Sequence, residues 1–208
     1  MNTPETSLSS VIRERRSVRK YDPDFKISRE EILDILKEAA LAPSSSNLQP
    51  WKFIVIQDEE TKKELRAIAN NQEQVETSSA VIAVLADREM YHNGEKVYRS
   101  SFEAGYMDET TMNRMIENTN KLYPAAPVGM RENIASFDAG LISMQIMLIA
   151  KAWGYDTVPM GGFNKQQFIE KFNIVERYMP VLLLPIGKAA VPGHPTTRIP
   201  VEEIVEFI

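Results

Sequence analysis

Apolar positions recur along this chain with two periods, and the changes from one to the other divide it into elements. Ile32, Leu33, Ile35, Leu36, Ala39 and Ala40 repeat at helical spacing. Just before them, Ser28 and Glu31 stand at capping-box spacing, where each side chain satisfies a backbone N–H that the first turn leaves unpaired. Pro43 predicts the end of that helix, because the residue before a proline is pushed out of helical geometry. A polar loop from Ser44 to Pro50 then precedes Phe53 to Ile56, a short run of β-formers that predicts a strand. Thr61 to Ala69 predicts a helix with Leu65, Ile68 and Ala69 inward, and Ala80 to Ala86 a second, buried strand.

The periods blur from Glu89 to Met130, where Tyr91, Tyr98, Phe102, Tyr106 and Tyr123 sit among charges. We expect helix fragments and a mobile segment there. Ordinary helix packing and a cover over a substrate pocket are both open readings. Ile134 to Trp153 predicts a helix about 30 Å long, apolar on more than one face, with Gly154 as its stop. Such a helix must be buried on most sides, at the centre of a domain or in a subunit interface. Val158 and Pro159 lead into Gly161 and Gly162, Gln166 to Phe172 predicts a short helix, and Val181 to Ile186 a third strand. The tail, Pro192 to Ile208, ends on Val201, Ile204, Val205 and Phe207, which are unfavourable to expose, so it should pack on something, such as another subunit. Interspersed helices and strands predict an α+β or α/β class with one mixed sheet flanked by helices.

Length and composition narrow this picture. The 208 residues suit a single domain, and 43% hydrophobic with 25% charged residues is ordinary for a globular chain, which excludes disorder of the whole. A net charge of -5 argues against a nucleic-acid partner. The absence of cysteine removes disulfides, thiolate metal sites and a cysteine nucleophile. Met1 to Arg19 is polar and lacks a signal-peptide core, and Ile134 to Trp153 carries Ser136, Asp138, Ser143, Gln145 and Lys151, a poor membrane span. A cytoplasmic location without a membrane partner is expected. His92 and His194 are far apart and lack metal-ligand spacing, so no metal is expected and both should be exposed. The nucleophile elbow, the Walker loop and the dinucleotide glycine fingerprint are all missing.

Four clusters carry candidate chemistry. Arg13, Arg15, Arg16, Arg19 and Lys20 crowd around Ser17, which reads as a solvated basic face, a phosphate site or, against the overall acidity, a nucleic-acid patch. Pro43 to Trp51 packs hydroxyls and amides between two prolines, a plain loop or a preorganised polar surface. In Pro159-Met160-Gly161-Gly162, the glycines form either a tight turn or a place where a ligand approaches the backbone closely. Arg198 lies between prolines near the C-terminus.

Taken in order, these clusters resemble the nitroreductase family of FMN enzymes: Arg15-Arg16-Ser17-Val18-Arg19 near the start, Pro43 to Trp51 after a helix, the glycine pair after a long central helix, and Arg198 close to the end. The resemblance covers essentially the whole chain, residues 1–208, as one domain. It implies a mixed sheet flanked by helices, an intertwined homodimer with FMN sites at the interface, residues 89–130 as a variable segment near the active site, and a tail, 192–208, packed on the partner. It also implies roles. Arg15, Arg16, Ser17 and Arg19, joined by Arg198, hold the FMN phosphate and ribityl chain. Pro43, Ser44, Ser45 and Asn47 reach the flavin from the second subunit. Asn71 and Gln74 lie along the ribityl or pyrimidine side, with a surface helix end the plain alternative for Asn71. Pro159, Met160, Gly161 and Gly162 line the isoalloxazine ring. No side chain is catalytic: NADH or NADPH passes hydride to the flavin, and a nitroaromatic, quinone or similar small molecule then accepts it. Some family members place a glutamate where this chain has Gly161, which leaves the donor preference open. Another flavin reaction on the same fold (flavin reduction, enone reduction, dehalogenation) and a non-catalytic FMN sensor are the alternatives.

Overall fold

A computed structural model of the chain describes residues 7–208; the first six positions of the polar N-terminal stretch lie outside the described residues. The fold is α+β, with eight α-helices and a four-stranded sheet among the described residues. The strands are β1 (Trp51–Ile56), β2 (Ala80–Asp87), β3 (Asp156–Thr157) and β4 (Tyr178–Gly187), in the spatial order β1-β2-β4-β3. Every pair of named strands is antiparallel, in place of the mixed sheet expected. Among the described residues the single parallel pairing is an isolated bridge between Ser17 and Thr157.

β2 is buried along its whole length, and its side chains alternate between two cores as a pleated strand requires. Ala80, Ile82, Val84 and Ala86 face one layer, formed by α2 (Arg29–Ala39), α5 (Gly94–Glu103), α6 (Glu109–Ala125) and α7 (Val128–Ala152). Val81, Ala83 and Leu85 face the other, where Leu65 of α3 (Glu59–Ile68), Val75 of α4 (Glu73–Thr77) and Phe168 of α8 (Lys165–Lys171) pack. The sheet thus lies between two helical layers. The remaining helix, α1 (Leu8–Glu14), carries Arg13 in its last turn and leads into the rest of the basic cluster.

Local signals account for most boundaries. Ser28 and Glu31 form both bonds of the capping box at the start of α2. Of the stripe expected on that helix, Ile32, Ile35 and Ala39 are buried, whereas Leu33 and Ala40 face outward. On α3, Leu65 is buried, Ile68 is half-buried, and Ala69, the residue just past its end, is buried. At Gly154, with φ +78°, the chain leaves α7: Gly154 N–H bonds the Lys151 carbonyl at 2.9 Å and Tyr155 N–H the Ala150 carbonyl at 2.8 Å, the paired bonds of a Schellman motif. α7 begins six residues before the expected start at Ile134, at Val128 behind Pro127, whose fixed φ suits the position before a first turn.

Residues 89–130 depart most from expectation. In place of helix fragments they form a 3-10 turn and two packed helices, α5 and α6. Tyr98, Met112 and Thr119 are buried between them, and Gly94 brings them so close that a β-carbon there would lie 2.9 Å from Thr119 Cγ2. By length and composition α7 is the one described helix able to cross a bilayer. Its inner face is instead spent on β2 and α2, with Ala135, Ala139, Ile142, Ile146 and Ala150 buried there.

Candidate functional site

The predicted site residues gather at two places. The first is built on the β3 edge of the sheet. α1 ends at Glu14, and the chain turns so that Ser17 bridges Thr157, with Val18 N–H bonding the Thr157 carbonyl at 3.2 Å. Ala190 N–H reaches the Lys20 carbonyl at 2.9 Å, which fastens the root of the C-terminal tail to the same strip. Gly193 lies against this strip so closely that a β-carbon would fall 2.6 Å from Arg16 Cβ. Between these segments opens a cavity of about 380 Å³, lined by Ser17, Arg19, Lys20, Gln74, His194 and one carboxylate, Glu73.

Cations dominate this corner. None of Arg13, Arg15, Arg16, Arg19 and Lys20 forms an ion pair among the described residues. The Arg15 guanidinium is held below its usual pKa, first by burial and then by repulsion from Arg198 and Arg16. It stays protonated all the same, as arginines do. Arg198, 183 positions away in sequence, is therefore a neighbour of the cluster, though its own side chain is turned to Thr196 Oγ1 at 2.8 Å. Arg16 is turned onto the end of α1, donating to the Arg13 carbonyl at 2.6 Å and the Arg15 carbonyl at 2.8 Å. It caps a helix terminus, where a cation is favourable.

The glycine turn is anchored beside this cavity. Met160 exchanges both backbone hydrogen bonds with Leu183, at 2.8 and 2.9 Å. The Gly162 carbonyl accepts from Asn70 Nδ2 at 2.9 Å and Gln72 Nε2 at 3.1 Å. Gln74 donates to Gln72 Oε1 at 2.9 Å and touches Met160 Sδ at 3.6 Å. Asn71 is exposed at φ +55°, its carbonyl accepting from Arg66 Nε at 3.3 Å. Nothing approaches a β-carbon built on Gly161 within 4 Å, and Pro159 and Gly161 are both exposed. The backbone of this turn is open to a ligand.

The second place is the loop before β1. Ser46, Asn47 and Gln49 all have φ near +50°, a conformation that costs a residue with a side chain on the order of 1–2 kcal/mol. Surrounding bonds enforce it. Buried Asp138 of α7 accepts from Ser45 N–H at 2.9 Å and from Ser45 Oγ at 3.2 Å. Tyr98 donates its hydroxyl to the Ser46 carbonyl at 2.9 Å, Asn93 Nδ2 donates to the Leu48 carbonyl at 2.9 Å, and Ser44 Oγ accepts from Gln49 N–H at 3.0 Å. Burial raises the Asp138 pKa, opposed by the two Ser45 bonds. Pro43 and Asn47 stay exposed.

Within one chain these two places do not meet. Trp51, which follows the loop, pairs with Ala86; Thr157, beside Ser17, pairs with Ile186, which pairs with Ala80. They are six residues apart along β2 and three strand spacings apart across the sheet. That is roughly 20 Å by roughly 14 Å, a diagonal of about 24 Å.

This ordered set of segments has close counterparts. The sequence model of the nitroreductase family matches residues 12–188. The chain belongs to the nitroreductase family. This family member is 46% identical, over 95% of each chain, to YdgI of Bacillus subtilis, which carries the provisional name NAD(P)H nitroreductase. It is 30% identical to the CLA biosynthesis enone reductase of Lactiplantibacillus plantarum, over 100% of this chain and 97% of that one. Among solved structures it is similar to a provisionally named nitroreductase from Exiguobacterium sibiricum, crystallised in complex with FMN, with a TM-score of 0.93, 44% identity and 98% of each chain covered.

Several side chains that shape this nitroreductase-family site escaped sequence reasoning. Asn70 and Gln72 carry the glycine turn, and the amide-rich stretch Asn70-Asn71-Gln72 was the available signal. Asp138, a carboxylate in an apolar helix, counted only against a membrane span; a buried charge also signals a fixed partner, here Ser45. His92 and His194 are exposed, as expected, though His194 lines the cation cavity. No metal-binding cluster of His, Asp or Glu occurs among the described residues.

Proposed function

We propose that this chain is an FMN-dependent oxidoreductase that works as a homodimer, taking electrons from NADH or NADPH and passing them to a nitroaromatic, quinone or related acceptor. The observation that carries the reading is the cation cavity at Ser17, Arg19 and Lys20, whose charges form no ion pair among the described residues although Glu73 lines the same cavity, set beside an unobstructed glycine turn. A phosphate fits the first, because crowded cations that form no ion pair are relieved by an anion with several acceptor oxygens. A flat ring fits the second, since Gly161 leaves its face clear. When bound, FMN supplies the two-electron chemistry through its isoalloxazine ring.

The residues divide the work. Arg15, Arg16, Ser17 and Arg19, which follow the end of α1, hold the phosphate and ribityl chain, joined by Arg198 from the tail. Asn71 and Gln74 orient the ribityl or pyrimidine side, and the backbone of Pro159 to Gly162 lies along the ring. Pro43, Ser44, Ser45 and Asn47 come from the second copy, because their own copy lies a sheet diagonal away. No side chain is assigned as a general acid. One open turn serves both half-reactions, so donor and acceptor occupy it in turn, a ping-pong order.

Uncovered apolar surface supports the dimer. Phe137, Leu141, Met144 and Leu148 follow one another at alternating steps of four and three on the outer side of α7, the repeat of a helix seam awaiting a partner. Phe137 is 66% exposed. The tail adds Val201, Ile204 and Phe207, all exposed within a single chain. For the acceptor, an apolar cavity of about 280 Å³ beside Ser46, walled by Leu122, Tyr123, Met130 and Ile134, favours conjugated apolar molecules, enones among them.

The test is a visible absorption spectrum of the purified protein, before and after NADPH or NADH without oxygen. Flavin bands that bleach are expected. Bands that persist favour a non-catalytic sensor, and a colourless protein that FMN cannot reconstitute overturns the reading.

A further inference from the structure

The loop before β1 separates two cavities of opposite character. On the Ser46 side lies the apolar one that favours conjugated acceptors. On the other side, a cleft of about 410 Å³ opens between the loop and α5, lined mainly by polar groups. Asn47, Gln49 and Trp51 form one wall; Lys96, Ser100 and Ser101 form the other. The only charged group on its lining is Lys96, which has no ion-pair partner among the described residues. The charged neighbours on the same helix are otherwise engaged or turned away: Glu95 pairs with Arg99 at 2.9 Å, and neither they nor Glu103 lines the cleft.

One amide donor of this cleft, Gln49, is loosely held, whereas Asn93 is spent on the Leu48 carbonyl at 2.9 Å. Gln49 Nε2 lies 3.4 Å from both Asn47 O and Asn47 Oδ1, at the long limit of a hydrogen bond. Ser101 donates its hydroxyl to the Val97 carbonyl at 3.0 Å and keeps its lone pairs. Such a cleft, with one unpaired cation, a weakly engaged amide donor, hydroxyls and an indole wall, suits a ligand that is anionic at one point and flat elsewhere. The loop forming its wall carries Asn47, which the oxidoreductase reading brings to the flavin, so whatever fills the cleft is next to the redox centre.

We propose that this cleft seats a phosphate group of the pyridine-nucleotide donor, with Lys96 as its counter-charge. The inference rests on the flavin oxidoreductase reading and names where the non-reacting part of the donor is held. The 2′-phosphate of NADPH and the pyrophosphate shared by NADH and NADPH offer the same chemistry, and one experiment separates them.

Lys96→Glu, with Lys96→Gln as the milder variant, is compared with the parent holoenzyme. The readouts are the concentration dependence of anaerobic flavin bleaching by NADPH and by NADH, and calorimetric titration with NADP+ and NAD+. Replacing the cation by a carboxylate removes one charge-assisted hydrogen bond and adds repulsion. The half-saturating concentration should then rise about ten-fold or more, with the limiting rate kept. A rise for NADPH and NADP+ alone assigns the 2′-phosphate, and a comparable rise for both donors assigns the pyrophosphate. Unchanged saturation by both donors, in a variant that is yellow and bleaches at the parent rate, overturns the proposal while leaving the oxidoreductase reading intact. Should the parent fail to bleach with either donor, it is the oxidoreductase reading that falls, and the nucleotide titration still reports on the cleft. Lys37→Glu, on the exposed face of α2, controls for net charge.

Discussion

The cation corner at β3 and the serine loop at β1 are built on opposite plans. The first is assembled from segments far apart in sequence, residues 15–20, 71–74, 159–162 and 192–198, and its charges repel one another. The second is one short segment whose unfavourable backbone is already held by Asp138, Tyr98 and Asn93. In the proposed function one corner is completed by an anion; the other is complete beforehand. Binding strength should therefore reside in the first, and orientation in the second.

The sharpest break of this contrast is the pair Arg15→Ala and Arg19→Ala. Two charge-assisted hydrogen bonds of ~1.5–3 kcal/mol each predict a loss of FMN affinity of at least about a hundred-fold. The variant should leave a desalting column colourless, whereas Ser45→Ala should stay yellow. Stoichiometric flavin in the double variant would remove the phosphate assignment. Next in size is the proposed subunit contact, which would unite the corners. Phe137→Lys on the outer face of α7, or removal of residues 192–208, should shift the protein toward monomer in sedimentation at micromolar concentration and cost it flavin. A truncated chain that is dimeric and yellow would show that the tail is dispensable.

Asp138→Ala tests the finished corner. It leaves Ser45 N–H and the Ser45 hydroxyl without their acceptor, and about 1–3 kcal/mol of stability should be lost in urea at fixed protein concentration. The smallest expected effect is a pH slope. Burial holds the Asp138 pKa above its unfolded value, so the folded state binds the proton more tightly. This group's contribution is then fully present below the ordinary carboxylate pKa and lost as pH rises through the raised one. Asp138→Asn should flatten that part of the stability profile. An unchanged slope would mean that the carboxylate titrates normally.

Where a residue's partner lies nearby in sequence, the chain was legible. Ser28 with Glu31 announced α2, and Gly154 announced the end of α7. β4 begins three residues before the expected Val181, because Tyr178 and Met179 are selected by pairing with Asp87 and Ala86 across the sheet. β3, two residues long, has no period of its own and is defined by β4. α5 and α6 carry many charges outward and bury few apolar residues, so their stripe is thin, and the pair is defined by contacts distant in sequence, among them the close fit of Gly94 and Thr119. The same rule governs the site. The basic cluster, the serine loop and the glycine pair stand out as local compositions. Asp138 does not, because the Ser45 it grips is 93 positions away.

One missing carbon governs how the chain ends. Because Gly193 alone permits the approach to Arg16, the tail leaves from a fixed point over the cation corner. The fifteen residues from His194 to Ile208 then act as a tether. A flexible chain of that length has a reach of roughly 20 Å, and a tether so short holds its end at a millimolar effective concentration near its anchor. In the proposed dimer, each subunit would thus meet its neighbour's tail at a concentration no free peptide attains, and contacts that are individually weak suffice to keep the two chains entwined.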